Sequence, residues 1–228
     1  MKQDIINSLI EKFVMLKTNS DYRIYDLVCR RGARWRESKH EIKTNPIYLD
    51  TILFKYFKRR GKRGRLDEEL FLNTIIDHRD EKKYQIPDED ELVFHLRLGD
   101  HAYHNNFLSK DYVGLIKNKV KDDNINKITF VGAFAYQVWS KETMNIKPKN
   151  CPTWEYTDEI QQKNINGLTR VFGDVLDNFD LPIEICSNLD IDKDVCYCVS
   201  AKHFICDVGR LGGFMEKLGI LYQQNKSE

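Results

Sequence analysis

Two kinds of apolar spacing divide the chain, and the change comes near residue 88. Before it the spacing is helical. In IINSLIEKFVMLK, Ile5, Ile6, Leu9, Ile10, Phe13 and Leu16 recur as a helical stripe. RIYDLVCRRG reads as a short strand or turn, and NPIYLDTILFKYFKRRGKRGR runs from apolar to strongly basic. LDEELFLNTIIDHRDEK reads as a further helix, with its acids in the first turn, where the helix dipole favours them. From ELVFHLRLG (91–99) onward, short apolar runs alternate with longer helical patterns. The expected strands are ELVFHLRLG, KITFVGAF (127–134), LPIEICSN (181–188) and HFICDV (203–208). The expected helices are SKDYVGLIKNKVKDD with Ser109 as N-cap, the run 157–179 with Thr157 or Asp158 near its start, DKDVCYCVSAK, and GGFMEKLGILYQQ.

Strand–helix alternation of this kind predicts an α/β fold: a Rossmann-like parallel sheet with helices on its faces over 88–228, plus a smaller, mostly helical region over 1–87. In open sheets of this type, ligands are held at the carboxyl ends of the strands. That draws attention to ELVFHLRLGDHAYH. His95 and Arg97 fall at the end of the first strand of the alternating region. Period-two geometry puts them on one face, with Phe94, Leu96 and Leu98 on the other. Gly99 and Asp100 occupy the turn beyond. An arginine there needs an anion, which a protein carboxylate or a ligand phosphate would supply.

Composition narrows the setting. The 228 residues contain 36 Lys and Arg against 35 Asp and Glu, a formal net charge of +1, so no broad electrostatic footprint for nucleic acid exists. A local basic stretch does: KYFKRRGKRGR (55–65), with RRGARWR (30–36), interleaves Tyr56, Phe57 and Trp35 with cations. LDEE follows it directly, and a solvated or acid-facing surface is the preferred reading. The six cysteines include no CxxC pair, and the N-terminus lacks the apolar stretch of a signal peptide. Reduced thiols in a soluble, cytoplasmic chain without a membrane span are expected. His95, His101 and His104 have poor spacing for zinc, and no metal site is expected.

A second signal lies late in the chain. HFICDVGRLGGFMEKL reads as strand, glycine-bearing loop and helix, with Gly209, Gly212 and Gly213 where a helix N-terminus offers unpaired N–H groups to an anion. The spacing is neither a Walker A loop nor GxGxxG, and a plain strand-to-helix turn reads the same way.

HLRLGD resembles the H-x-R-x-G-D signature of the fucosyltransferase superfamily with GT-B architecture, which includes the α-1,2, α-1,6 and protein O-fucosyltransferases. DKDVCYCVSAKHFICDVGRLGGF resembles the same superfamily's late motif, with Asp194, Ala201, Phe204 and Ile205 at matching positions. The resemblance spans about residues 90–220. It implies a GT-B donor-type domain that transfers a sugar (fucose, from GDP-fucose) to a glycan or other hydroxyl acceptor, without a metal or other cofactor. By the same resemblance, Arg97 contacts the donor diphosphate, Gly209 to Gly213 line the phosphate loop, and Asp194 shapes the donor site. The chain departs from the family at Leu98, where many members carry a second arginine, and at VGRLGGF, where many carry a hydroxyl-rich loop. Arg210 would replace the lost contacts as a cation. For an inverting transfer Asp100 is the candidate base, with His95 second. The alternatives are a non-catalytic nucleotide- or glycan-binding module of the same fold, and a nucleic-acid-binding protein using 55–65.

Overall fold

The structure, a computed structural model, describes residues 2–13, 15–16, 49–60, 66–98, 111–122, 124–132, 134–135, 158–188, 190–207 and 210–227. In chain order the elements are α1 (Lys2–Glu11), β1 (Met15–Leu16), α2 (Ile52–Arg60), α3 (Glu68–Lys82), β2 (Glu91–His95), α4 (Tyr112–Asp122), β3 (Lys127–Val131), β4 (Phe134–Ala135), α5 (Asp158–Asn178), β5 (Ile183–Cys186), α6 (Ile191–Ser200), β6 (His203–Cys206) and α7 (Arg210–Lys226).

Four strands form one parallel sheet in the order β5-β3-β2-β6. The register is set by Glu91 opposite Lys127, Leu92 opposite His203, and Ile128 opposite Ile183. The central strand β2 is buried along its whole length, and the edge strand β5 is only partly covered. A buried parallel strand reads as a near-continuous apolar run for this reason. The chain steps outward from β2 to β3 to β5, then returns to place β6 on the other side of β2. Right-handed crossovers therefore require helices on both faces. Accordingly, α4 and α5 pack with α1 on the face carrying Leu92, Phe94, Ile128 and Phe130. On the opposite face, α6 and α7 pack with α2 and α3 over Val93 and Val131. The result is a Rossmann-like α/β arrangement of a four-stranded parallel sheet between helical layers.

The boundary expected near residue 88 falls between α3 and β2. The described helices on its N-terminal side lie in the same two cores as the sheet. From α2, Ile52, Leu53, Tyr56 and Phe57 enter the core alongside Val195 and Leu218. From α1, Ile6 and Leu9 meet Val171 and Phe172. Arg79 of α3 donates to the Ser200 and Tyr222 hydroxyls, tying α3 to α6 and α7. A chain of rings, Phe94–Phe130–Phe172 with centroids 5.5 and 5.1 Å apart, links β2, β3 and α5. Such pairs add roughly 0.5–1.5 kcal/mol each beyond burial.

Local details differ from the sequence expectations in four places. The N-terminal helix ends at Glu11 instead of running through Leu16, because Met15–Leu16 pair in parallel with Phe134–Ala135. The run 127–134 is two strands, broken at Gly132. A Cβ there would sit 2.9 Å from the Leu96 carbonyl oxygen, so only glycine permits this close approach. α4 begins at Tyr112 with Asp111 accepting from the Gly114 amide at 2.8 Å, the cap position expected at Ser109. Ser109 and Thr157 themselves lie outside the described residues. The fourth place is the basic stretch. The rings of Tyr56 and Phe57 are fully buried and offer no stacking face to a base. In the same stretch, Lys55 is held by Glu81 at 2.7 Å and Arg59 by Asp77 at 2.7 Å. Residues 61–65 and 30–36 lie outside the described residues.

Cys186, Cys196, Cys198 and Cys206 are free thiols, and Cys29 and Cys151 lie outside the described residues. Burial pushes the Cys186 thiol up to about 11, which makes it a poor nucleophile at neutral pH. No described helix is long and apolar enough to cross a membrane.

Candidate functional site

The order of strands reverses at β2, so the carboxyl ends of β2 and β6 flank the point where the crossovers diverge. In open α/β sheets this crevice is the ligand site. The sheet register brings the two sequence motifs together there. His95 is paired with Cys206, and the Asp207 amide donates to the His95 carbonyl at 2.9 Å. On the other side of β2, the Leu96 amide donates to the Val131 carbonyl at 2.8 Å. Arg97 leaves the sheet from this fixed strand end and is half-buried.

His95, the last residue of β2, is 6% exposed. Burial and then the neighbouring Arg97 charge hold its imidazole down to about 4, so it is neutral at physiological pH. A neutral, enclosed imidazole of such low basicity suits orientation of the strand end better than proton abstraction. Asp100 and Gly99 lie outside the described residues, as do His101, His104 and Gly209. Among the described residues, no three His, Cys, Asp or Glu side chains converge as a metal would require.

α7 starts at Arg210, three residues beyond Asp207. Its side chain lies outside the described part of the structure. The two glycines of the first turn differ. A Cβ on Gly212 would lie 2.9 Å from Cys206 Cβ and 3.4 Å from its sulfur, whereas one on Gly213 would meet nothing within 4 Å. Gly212 is thus the close-approach residue that seats α7 against β6. Gly213 leaves open space beside the helix N-terminus. Gly212→Ala is expected to destabilise the fold by about 1–3 kcal/mol through overpacking. Gly213→Ala should leave stability unchanged or raise it by about 0.5–1 kcal/mol through helix propensity. Urea denaturation of the two variants checks this, and equal effects would remove the packing explanation for Gly212.

Asp194 is placed elsewhere along the same edge. It lies within the first turn of α6, is 3% exposed, and accepts from Asn188 Nδ2 at 2.5 Å. Asn188 follows β5, which ends at Cys186, and β3 stands between β5 and β2. The structure therefore sets His95, and Arg97 two residues on, beside Cys206 and Asp207 at one edge of the sheet, with Gly212 of α7 packed on Cys206, and keeps Asp194 by Asn188, after β5. The acids before it point elsewhere: Asp190, the N-cap of α6, accepts from the Tyr84 hydroxyl, and Asp192 from the Ile52 amide.

Two residues near this strand end, Asp207 and Tyr112, escaped the sequence reading. Asp207 follows β6 directly, is 3% exposed, and lies near the buried Tyr112 hydroxyl at the start of α4. Burial and then the Asp207 charge push that phenol well above its ordinary value. The signal was present in the sequence: a charged residue ending an apolar run, HFIC-Asp207, as Arg97 ends its own.

The chain is thus an α/β protein with a Rossmann-like parallel sheet whose strand order reverses at β2. No family model matches the chain, and no curated protein or solved structure matches it.

Proposed function

We propose that the chain is a glycosyltransferase of the fucosyltransferase-like, GT-B donor-domain type, using a nucleotide-diphosphate sugar. The observation that carries this reading is the pairing of His95 with Cys206. It sets the strand end bearing Arg97 beside Cys206 and Asp207, three residues before α7, so that two motifs far apart in sequence meet at the carboxyl ends of neighbouring strands. A guanidinium and a helix N-terminus are the groups a leaving diphosphate needs, because both neutralise charge that grows as the glycosidic bond breaks. The acceptor hydroxyl oxygen attacks the anomeric carbon, the bond from that carbon to the diphosphate oxygen breaks, and Asp100 takes the hydroxyl proton. The configuration at the anomeric carbon inverts. Charge neutralisation by Arg97 and α7 makes the step independent of a metal. Fucose, GDP and the donor-shaping role of Asp194 follow from the motif resemblance, and a glycan or other hydroxyl compound is the acceptor.

A thermal-shift screen with GDP-, UDP- and dTDP-sugars tests the reading. One nucleotide is expected to raise the melting temperature by about 5–10 °C at a hundredfold excess over its Kd. A shift without sugar transfer would convert the assignment to a binding module of the same fold. No shift with any nucleotide, together with salt-sensitive binding to RNA or DNA, would overturn it in favour of nucleic acid.

A further inference from the structure

Away from the crevice, a buried polar cluster joins α2, α3 and α6. Its centre is His78 of α3, which is 1% exposed. Lys55 Nζ of α2 lies 3.0 Å from His78 Nδ1, and Asp192 Oδ2 of α6 lies 3.7 Å from His78 Nε2. An ammonium can only donate, so Nδ1 must present its lone pair and the single ring proton sits on Nε2, facing Asp192. The same Asp192 oxygen accepts the Ile52 amide at 2.8 Å, which fixes the first turn of α2 to α6. Lys55 is also bound to Asp50 at 3.3 Å and Glu81 at 2.7 Å, and Lys82 pairs with Asp50. The Tyr84 ring packs edge-on at 5.8 Å, and its hydroxyl donates to Asp190 at 2.6 Å.

We propose that this cluster is an acid-sensitive clasp, in which protonation of His78 Nδ1 expels Lys55, draws Asp192 away from the Ile52 amide and frees the first turn of α2. A second ring proton would place an N–H against an ammonium, two donors with no acceptor between them. Lys55 keeps Asp50 and Glu81 as partners when displaced, whereas imidazolium and Asp192 become an ion pair that competes with the Ile52 amide. The groups facing His78 divide by sign: Lys55 and Lys82 oppose its charge, and Asp50, Asp190 and Asp192 favour it. Burial, followed by Lys55, decides the balance and holds the imidazole below its ordinary value in the closed clasp. An opened clasp regains the ordinary value of about 6.5. The open form therefore binds the extra proton first. Closure is complete above about pH 6.5 and weakens as the pH falls below it. The clasp ends on the helical turn that carries Asp194, but it does not depend on what the crevice binds.

Hydrogen exchange followed by mass spectrometry on the full chain tests the clasp without any ligand. Between pH 7.5 and 5, after correction for intrinsic exchange rates, protection of residues 49–60 is expected to fall by up to about tenfold per pH unit below 6.5. In His78→Asn the side-chain amide oxygen can still accept from Lys55 but the residue cannot be protonated, and protection should stay level. Equal pH dependence in parent and variant, or constant protection in the parent, would overturn the proposal. The titration of the His78 ring by NMR in the parent protein gives the same decision should the variant not fold. Protonation with no change in the Ile52 amide signal would also exclude the clasp.

Discussion

Replacing Arg97 with alanine is expected to weaken binding of a nucleotide diphosphate severely and to lower sugar transfer with it. Arg97 leaves β2 from a strand end held on both sides, by the Asp207 amide on His95 and by the Leu96 amide on Val131. The backbone that carries it is therefore held by the sheet. Truncating a charge that faces an enclosed anion costs about 2–5 kcal/mol, which is roughly a 30- to 5,000-fold loss in affinity. Arg97→Lys should recover only part of the loss, because an ammonium retains charge but not the planar fork that matches a phosphate. Calorimetry with the nucleotide found by the thermal-shift screen measures both variants, and unchanged affinity in Arg97→Ala would dismiss the phosphate assignment. An independent readout comes from His95. Arg97 is the second cause, after burial, of its lowered basicity. In the alanine variant the His95 titration should move upward, toward its ordinary value but not to it, since burial remains.

Glu91→Ala is expected to cause a large loss of stability at the opposite end of the same strand. Glu91 is 1% exposed and receives the Tyr197 hydroxyl at 2.5 Å, while Lys127 Nζ lies 2.9 Å away. Burial alone would raise its basicity, but the surrounding Thr129, Tyr197 and Lys127 side chains and the Asp88 amide outweigh it and hold the carboxyl below its ordinary value. Truncation leaves the Tyr197 hydroxyl buried without its acceptor. Lys127 keeps Asp88 at 3.2 Å and Glu184 at 3.6 Å, which limits the damage. A loss of about 3 kcal/mol follows, a melting temperature lower by roughly 6–12 °C. Glu91→Gln should lose less, because an amide oxygen can still accept from Tyr197. A loss below about 1 kcal/mol for the alanine variant, by urea denaturation, would contradict this account. Because the folded-state carboxyl is lowered, its contribution is complete above the ordinary carboxylate range and is lost on acidification.

The order of strands and helices from residue 91 onward is legible in the sequence because each element is longer than its own period and buries a face. β1 and β4 are not legible in this way. A two-residue pairing such as Met15 with Phe134 has no periodicity to display, and it ends a helical stripe that sequence alone extends to Leu16. Tyr56 and Phe57 misled for a different reason. Their basic neighbours suggest an exposed surface, yet Ile52, Leu53, Tyr56 and Phe57 make one stripe of a short amphipathic helix, and the stripe turns inward. Within the crevice, Arg97 is visible because a charge interrupts an apolar run. That β6 docks beside β2 is not visible, since strand order depends on which side of β2 the last strand takes. Asp207 carried the same sequence signal as Arg97 and acquired meaning only once β6 was seen beside β2. Gly212 and Gly213 are indistinguishable as letters. Only the distance to Cys206 separates a packing residue from one facing open space.

The position of β6 beside β2 also bears on how the chain folds. β2, β3 and β5 precede β6 in the chain and can pair before it exists. Until β6 docks, β2 is an edge strand, apolar along Leu92, Val93 and Phe94, with its backbone donors and acceptors open to any passing strand. Closing that edge requires Leu92 to meet His203 from far along the chain, a non-local step that folds slowly. The strand that completes the crevice is thus also the one that protects the sheet from intermolecular pairing. Substitutions that delay or weaken its docking should appear first as aggregation during expression, before any loss of ligand binding is measured.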